Sequence, residues 1–339
     1  MHISRERRSA FDAGLTALVT LVASLGLAPA QAQTAYPNRT ITLVAPYSAG
    51  GDADAAARNF AAAASKVLGQ SVVVMNRTGA SGVIGSALVS DAAPDGYTLL
   101  LARTGSQAIM PAVEPALTKY KWDDYAFIST LEINPYGCVV NAKSPYGTFQ
   151  DLVKALQTSG RTMNYGTAGV MTTNDLGPRE LFKLLKLTDQ TPTQIPYKGT
   201  GEASSSLLAG FTQFACGSLG SFLSLAKAGQ LRILVTTTPD RIASLPEVPT
   251  ARELGYAEME AVVGWSALFA PPNLPADVRD KLVAAVKAVS QDPAWIAGTA
   301  TTGSIPSIRS PEETKRFVGE QVKLYRSLGE SLHIIDSKM

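Results

Sequence analysis

The chain has 339 residues, of which 45% are hydrophobic and 17% charged, and its formal net charge is +2. This length is sufficient for two domains, each with its own core. No basic block occurs, so the composition excludes an electrostatic nucleic-acid interface. With two cysteines and two histidines, the chain offers few ligands for a zinc site.

The first 32 residues have the pattern of an export signal. Arg5, Arg7 and Arg8 precede a mostly apolar stretch from Phe11 to Leu27, and Ala30-Gln31-Ala32 fits a small-x-small cleavage site. The apolar stretch is short for a membrane span, and no cysteine directly follows it for lipid attachment. We therefore expect cleavage near Ala32 and a periplasmic product if the cell is a Gram-negative bacterium.

The next stretch predicts a strand, a glycine loop and a helix. Ile41 to Ala45 is a buried-strand pattern, Gly50-Gly51 marks the turn, and the Ala-rich run Asp52 to Leu68 is a helix ended by Gly69. The first amides of such a helix lack intrahelical partners and the helix dipole adds positive potential, so the loop predicts an anion site. The alternative is that Asp52 or Asp54 caps the helix.

Two more strands with similar loops follow. Ser71–Met75 and Tyr97–Ala102 are predicted strands, with a helix at Val83–Ala92 between them. Strands that alternate with helices form parallel sheets, whose ligands bind beyond the carboxyl ends of the strands. The loops at those ends, 76–81 and 103–106, are rich in Gly, Ser and Thr, which suits a ligand but also suits any tight turn.

A second alternating run begins at Met163 and indicates a second lobe. Its predicted strands and helices are Met163–Thr167, Asp175–Lys186, Thr193–Tyr197, Glu202–Leu208, Gln213–Cys216, Phe222–Lys227 and Ile233–Thr237. Residues 258–269 are expected to be extended, and helices are expected at Pro275–Ser290 and Pro311–Ser327. We predict an α/β protein with lobe 1 at residues 33–137 plus 259–339, lobe 2 at 138–258, and two crossing strands as the hinge of a cleft.

Catalytic patterns are missing from the sequence. The histidines are His2, which is lost with the signal, and His333 near the C-terminus, so a Ser-His-Asp or Cys-His system has no placed imidazole. Gly199-Thr200-Gly201 resembles part of a dinucleotide fingerprint, but the acidic residue expected after the next strand is absent. We therefore predict no enzyme, cofactor or metal, while the loop stays a candidate for an anion contact.

The two cysteines, Cys138 and Cys216, lie in apolar strand-like runs. An oxidising compartment would permit a disulfide between them, and two buried thiols are the alternative. The sequence leaves both open.

A set of short motifs, in this order, carries a resemblance to a known family. They are Pro46-Tyr47-Ser48-Ala49-Gly50-Gly51, Val74-Met75-Asn76-Arg77-Thr78-Gly79-Ala80, Ala93-Pro94-Asp95-Gly96-Tyr97-Thr98-Leu99, Asn164-Tyr165-Gly166-Thr167-Ala168-Gly169, Pro196-Tyr197-Lys198-Gly199 and Leu245-Pro246-Glu247-Val248-Pro249-Thr250. With them the mature chain resembles the Bug family, the TctC-like extracytoplasmic solute receptors of tripartite tricarboxylate transporters.

The resemblance implies a two-lobed Venus-flytrap receptor of the type II periplasmic-binding class. It implies that first-lobe loop amides hold a carboxylate of the ligand, partly through ordered waters, while the second lobe closes over it. The ligand would be a di- or tricarboxylate or an aromatic acid, delivered by a monomeric receptor to TctA/TctB-like membrane subunits. A binding module for a periplasmic signalling system, or a periplasmic enzyme acting on carboxylates, are the alternatives.

The predicted ligand contacts come from the loops at the carboxyl ends of the strands in both lobes. They are Tyr47, Ser48, Ala49, Gly50, Gly51, Asp54, Thr78, Gly79, Ala80, Ser81, Arg103, Thr104, Ser106, Thr167, Ala168, Thr172, Thr173, Asn174, Tyr197 and Ser218. Tyr197 has the alternative of an ordinary core tyrosine.

Two departures from the family pattern bear on the ligand. An acidic residue is common in the family where this chain has Cys216-Gly217, and its loss removes a partner for a ligand ammonium, which favours plain carboxylates over amino acids. Arg103 stands where the family is usually small or polar. It could pair with a second ligand carboxylate, or it could be exposed or internally paired.

Overall fold

The computed structural model describes residues 36–187, 190–242 and 244–335. The predicted signal segment, residues 1–32, lies outside the described residues. Among those that are described, no helix is both long enough and apolar enough to span a bilayer. The chain from Arg39 onwards forms one compact unit that contains two separate sheets.

The first sheet has six strands in the order β11-β4-β10-β3-β1-β2. Its strands are β1 Ile41–Ala45, β2 Val72–Asn76, β3 Thr98–Arg103, β4 Ala126–Asn134, β10 Gly264–Ala270 and β11 Ile305–Pro306. Strand β1 pairs in parallel with β2 and β3, as predicted, and strand order reverses at β1. Strand β10 is antiparallel to β3 and β4, so the sheet is mixed and not fully parallel.

The second sheet has five strands in the order β7-β6-β8-β5-β9. Its strands are β5 Tyr136–Asn141, β6 Asn164–Thr167, β7 Thr193–Pro196, β8 Phe214–Ser218 and β9 Leu231–Thr236. Strand β6 is parallel to β7 and β8, and β5 is antiparallel to β8 and β9. Each sheet therefore has a parallel part whose strand carboxyl ends face one edge.

The helices pack on these sheets. They are α1 Asp52–Leu68, α2 Val83–Ser90, α3 Met110–Val113, α4 Phe149–Ser159, α5 Thr173–Leu184, α6 Thr200–Leu208, α7 Leu223–Lys227, α8 Ala276–Val289, α9 Pro293–Thr301 and α10 Pro311–Ser331. A π-helical turn, Gly105–Ile109, leads into α3, and single 3₁₀ segments lie at Ala80–Gly82, Pro115–Leu117, Gly160–Thr162, Leu219–Ser221 and Ala257–Ala261.

Helix α1 has the predicted bounds because small side chains line its inner face and a glycine ends it. Ala53, Ala57 and Ala64 are buried, which lets the helix lie close to the sheet. Gly69 takes the left-handed conformation that ends the helix, and its amide donates to the Ser65 carbonyl. Residues 258–261, which were expected to be extended, instead belong to the 3₁₀ segment Ala257–Ala261 before β10.

The chain passes twice between the two sheets. Pro135 alone separates β4 in the first sheet from β5 in the second, and residues 237–263 lead from β9 back to β10. The fold class is thus the predicted two-lobed α/β architecture, whereas the exact lobe boundaries stay a prediction. Cys138 and Cys216 face each other on β5 and β8 and form a disulfide, which decides the question that the sequence left open.

Candidate functional site

Loops from both sheets meet around one small polar cavity, here called the inner cavity. Its volume is about 30 Å³. It lies beyond the carboxyl ends of β1, β3 and β6, where the parallel parts of the two sheets predict a ligand site. The lining residues are Tyr47, Asp52, Arg103, Thr104, Gly105, Ala168, Thr172, Thr173, Asn174, Thr200 and Gly264.

Asp54 holds the loop after β1 in place and is not the N-cap residue of helix α1. Gly51 is the N-cap of α1 and makes no side-chain cap hydrogen bond. The Gly50 amide donates to the Asp54 carboxylate (3.1 Å), and Arg58 and Asn76 donate to the same carboxylate at 3.0 Å. Burial acts to raise the pKa of Asp54, but the hydrogen bonds from Arg58, Gly50 and Asn76 outweigh it, so the pKa is lowered. One loop amide of the predicted anion site is therefore taken by the protein's own carboxylate.

Tyr47 forms one wall of the inner cavity. Its hydroxyl donates to the Ser81 carbonyl (2.8 Å), and a Cβ at Gly105 would collide with that hydroxyl. Burial raises the pKa of the Tyr47 phenol, which therefore stays protonated and remains a donor. Position 105 accordingly needs a glycine for close approach, not for backbone freedom.

Arg103 is buried and has partners within the protein. Its guanidinium is paired with the Asp52 carboxylate, donates to the Ser266 hydroxyl, and lies 3.9 Å from the Glu132 carboxylate. Glu132 in turn accepts hydrogen bonds from Ser266 and Asn134, both at 2.9 Å. Burial raises the pKa of Glu132, although Arg103, Asn134 and Ser266 act against the rise. Of the alternatives for Arg103, the structure shows the internally paired one, and a contact with a ligand stays a prediction.

Asp52 also connects the two sides of the cleft. The Thr200 hydroxyl, at the start of α6, donates to Asp52 (3.1 Å) and accepts from Ser221 (2.8 Å). The Ser48 amide donates to the Lys198 carbonyl (3.4 Å) in the same region. Loops of the first and second sheets are therefore in direct contact around the inner cavity.

On the second-sheet side, Asn174 brings an uncommitted donor to the inner cavity. Asn174 is buried, and its amide nitrogen has no hydrogen-bond partner within the described part of the chain. The space it occupies exists because position 217 is a glycine, since a Cβ there would lie 2.1 Å from the Asn174 amide nitrogen. A neutral donor thus lies beside Gly217, close to where the family commonly has an acidic residue and this chain has none.

A second cavity, here called the outer cavity, lies next to the first and shares Ala168 with it. Its volume is about 410 Å³. Its lining is Gly79, Ala80, Ser81, Gly82, Ala168, Gly169, Val170, Pro196, Tyr197, Lys198 and Glu202. The Ser81 hydroxyl donates to the Val170 carbonyl across it, so it too lies between the loops of the two sheets.

Of the predicted contacts, the structure places some around the two cavities and the rest nearby. Those in the inner cavity are Tyr47, Arg103, Thr104, Ala168, Thr172, Thr173 and Asn174. Those in the outer cavity are Gly79, Ala80, Ser81 and Tyr197, together with Ala168, which both cavities share. Within the described residues, those outside both linings are Ser48, Ala49, Gly50, Gly51, Asp54, Thr78, Ser106, Thr167 and Ser218.

Sequence reasoning missed Asp52, Gly105, Thr200 and Gly264 of the inner cavity. Thr200 lies in the glycine loop that was kept as a candidate anion contact, so its position was accessible from the pattern. Gly264 carried no signal, because it reaches the cavity through the antiparallel pairing of β10 with β3 and β4.

A larger groove of about 590 Å³, here called the side groove, lies on the second sheet alone. It is bounded by the start of α4, helix α7 and strand β9. Residues of the first sheet do not contribute to its lining in the described structure. Volume alone would favour this groove, but the convergence of loops from both sheets favours the inner cavity.

Two mixed sheets joined by two crossings, with loops of both around a polar cavity, define the class of two-lobed solute-binding proteins. Comparison with known proteins agrees. The profile of the tripartite tricarboxylate transporter family receptor, TctC, matches residues 56–334. The chain belongs to the TctC family and is a solute-binding receptor of the TctC/Bug type.

Curated relatives cover most of the chain. A UPF0065 protein from the TAR-I ttuE-ttuC' intergenic region of Agrobacterium vitis is 37% identical over 277 residues, which are 82% of this chain and 79% of that protein. Protein BugT of Bordetella pertussis is 30% identical over 315 residues, which are 91% of this chain and 94% of BugT.

Solved structures similar to this one include two that hold organic acids. MatC from Rhodopseudomonas palustris, with bound malate, has a TM-score of 0.81 and 27% identity and covers 86% of this chain and 99% of its own. A second R. palustris protein, with adipate, has a TM-score of 0.83 and 26% identity and covers 88% of this chain and 98% of its own.

Proposed function

We propose that this protein is a periplasmic receptor that captures an organic carboxylate between its two lobes and delivers it to a tripartite tricarboxylate-type membrane transporter, without chemical turnover. The observation that carries the proposal is the meeting of loops from both sheets on one polar cavity where the Asn174 amide nitrogen is buried without a partner. A buried donor of this kind is costly unless a ligand acceptor satisfies it.

The similar proteins support a carboxylate as that acceptor. The two R. palustris structures hold malate and adipate. A neutral amide donor at Asn174, in place of an acidic group, suits a carboxylate oxygen better than an ammonium. The proposal therefore favours plain carboxylates over amino acids.

Binding requires the lobes to separate. A cavity of about 30 Å³ holds roughly one or two water molecules and is too small for an organic acid. The acid would enter when contacts such as Thr200 to Asp52 and Ser48 to Lys198 are broken. Contacts from both sides would then make the closed form the tighter binder, which is what shifts the lobes towards closure.

The binding proposal is tested with the chain from residue 33 onwards and a panel of organic acids. The panel contains butyrate, hexanoate, succinate, malate, adipate, benzoate, aspartate and glutamate. We expect at least one acid without an amino group to raise the melting temperature and to bind in calorimetry. No binding by any member would overturn the proposal, and binding of the amino acids alone would overturn the preference for plain carboxylates.

A pair of variants assigns the site. Asn174→Ala should weaken the best-binding acid at least tenfold, because it removes a buried donor that has no hydrogen-bond partner within the described structure. Gln150→Ala lies at the side groove and should leave the affinity unchanged. Equal affinities for the two variants would place the ligand elsewhere.

The transporter partnership is tested separately. The tagged receptor, loaded with its best-binding acid, should capture TctA/TctB-like subunits from solubilised membranes. Capture of a sensor kinase in their place would support the signalling alternative.

A further inference from the structure

The charged side chains that line the inner cavity cancel each other. They are Asp52 and Arg103, and they are paired. Both are largely shielded, with 13% and 8% of the side chain exposed, so the pairing is protected from solvent screening. The described lining thus contributes no net positive charge to a ligand.

Arg103 has no spare positive charge for a ligand carboxylate. Besides Asp52, the Glu132 carboxylate lies 3.9 Å from its guanidinium, and Ser266 accepts one of its hydrogen bonds. If a ligand took the place of Asp52 at Arg103, the Asp52 carboxylate would be left buried beside another carboxylate. Removing the partner of a buried charge is strongly unfavourable.

The helix starts at the inner cavity are compensated in the same way. Helices α1, α5 and α6 begin at its lining residues Asp52, Thr173 and Thr200. Each has an acidic residue in its first turn: Asp52 and Asp54 in α1, Asp175 in α5 and Glu202 in α6. These carboxylates offset the positive ends of the helix dipoles, which would otherwise attract a second ligand charge.

On the basis of the proposed function, we propose that Asp52 sets the charge selectivity of the receptor. Its carboxylate occupies Arg103 and the Thr200 hydroxyl and so takes the position that a second carboxylate of the ligand would need. The preferred ligand is therefore an acid with a single carboxylate, received by neutral donors such as the Asn174 amide nitrogen. In this respect the chain differs from the similar proteins solved with malate and adipate.

The test compares acids of equal length that differ by one carboxylate: butyrate with succinate, and hexanoate with adipate. Affinities are measured by calorimetry for the wild type and for Asp52→Asn, which keeps the side-chain size and removes the charge. In the pair that binds better, the wild type should bind the monocarboxylate at least tenfold more tightly than the dicarboxylate. In Asp52→Asn the ratio should shift at least tenfold towards the dicarboxylate, because the Arg103 guanidinium then loses its ion-pair partner at position 52.

Two further variants keep the test specific. Asp280→Asn makes the same charge change on the exposed face of α8 and should leave the ratio unchanged. The double variant Asp52→Asn with Arg103→Ala should lose the gain in dicarboxylate affinity. If the gain came only from a looser cleft, it would persist in the double variant.

The outcomes separate this inference from the proposed function. If acids bind but the wild type prefers the dicarboxylate, or if Asp52→Asn leaves the ratio unchanged, the assignment of Asp52 is overturned and the receptor function stands. If no acid of either pair and no other acid of the panel binds to the wild type or to any variant, both are overturned.

Discussion

The two sides of the inner cavity are built differently. On the first-sheet side the charged groups are paired within the protein: Arg103 has Asp52 and Glu132, and Asp54 accepts from the Gly50 amide. On the second-sheet side Asn174 presents a buried nitrogen without a partner in the described residues, and a disulfide braces the strands behind it.

This difference assigns a structural role to the first-sheet side and ligand contact to the second-sheet side. Ion pairs fix the first-sheet loops in place but leave little charge for a ligand. Neutral donors on the second-sheet side remain available to bind the ligand. Until the ligand binds, such a donor is buried without an acceptor, which is energetically unfavourable. The first side therefore determines which charge is accepted, and the second side supplies contacts that the ligand completes.

The largest expected effect comes from removing the covalent brace of the second side. The disulfide Cys138–Cys216 closes a loop with a sequence separation of 78 residues. The chain-entropy relation gives about 4.5 kcal/mol of stabilisation for a loop of that length. Reduction should lower the free energy of unfolding by about this amount in urea titrations of the oxidised and reduced protein.

A double variant, Cys138→Ala with Cys216→Ala, is the control, since reductant should have no effect on it. An unchanged unfolding midpoint for the reduced wild type would contradict the role of the disulfide as a brace.

A smaller effect is expected from filling the space beside Asn174. In Gly217→Ala the new methyl group must displace the Asn174 amide, and ligand affinity should fall about tenfold, which is about 1.4 kcal/mol. Gly166→Ala on the neighbouring strand β6 is the matched control, because a Cβ there meets only ordinary contacts at 3.5 Å and beyond. Calorimetry with the best-binding acid checks both, and equal losses in the two variants would argue against Asn174 as the contact.

The smallest effect concerns the support of the first side. Asp54→Asn keeps an acceptor for Gly50 but loses the charge, and it should cost about 1 kcal/mol of unfolding free energy near neutral pH. The folded-state pKa of Asp54 is lowered from its ordinary value of 3.8, so the benefit of its charge is complete above that value and is lost as pH falls through the folded pKa. The stability gap between wild type and variant should therefore narrow in acid, as urea titrations across pH would measure. A gap that widens in acid would contradict the lowered pKa.

Much of the fold follows from local patterns in the sequence. Helix α1 has the predicted bounds, because an alanine-rich run between glycines is a local signal. Helix α4 was missed, although its N-terminus carries the readable capping pair Thr148 and Asp151. The antiparallel pairing of β10 was not predictable, because it joins segments more than a hundred residues apart.

The site was predictable in its loops but not in its charges. The glycine-rich loops after β1 and β3 do lie at the inner cavity, as their strand ends required. The pairing of Asp52 with Arg103, and the bond from Thr200 to Asp52, join residues that have no sequence relation. The first contact depends on how helix α1 packs against strand β3 within the first lobe, and the second on how the two lobes meet, and no local pattern encodes either.

The most direct test of the account is a crystal structure of the receptor with the acid that binds it most tightly. The account predicts one carboxylate of that acid between the two lobes, within hydrogen-bonding distance of the Asn174 amide nitrogen, with Asp52 still paired to Arg103. An acid bound in the side groove, with the inner cavity unchanged, would contradict it.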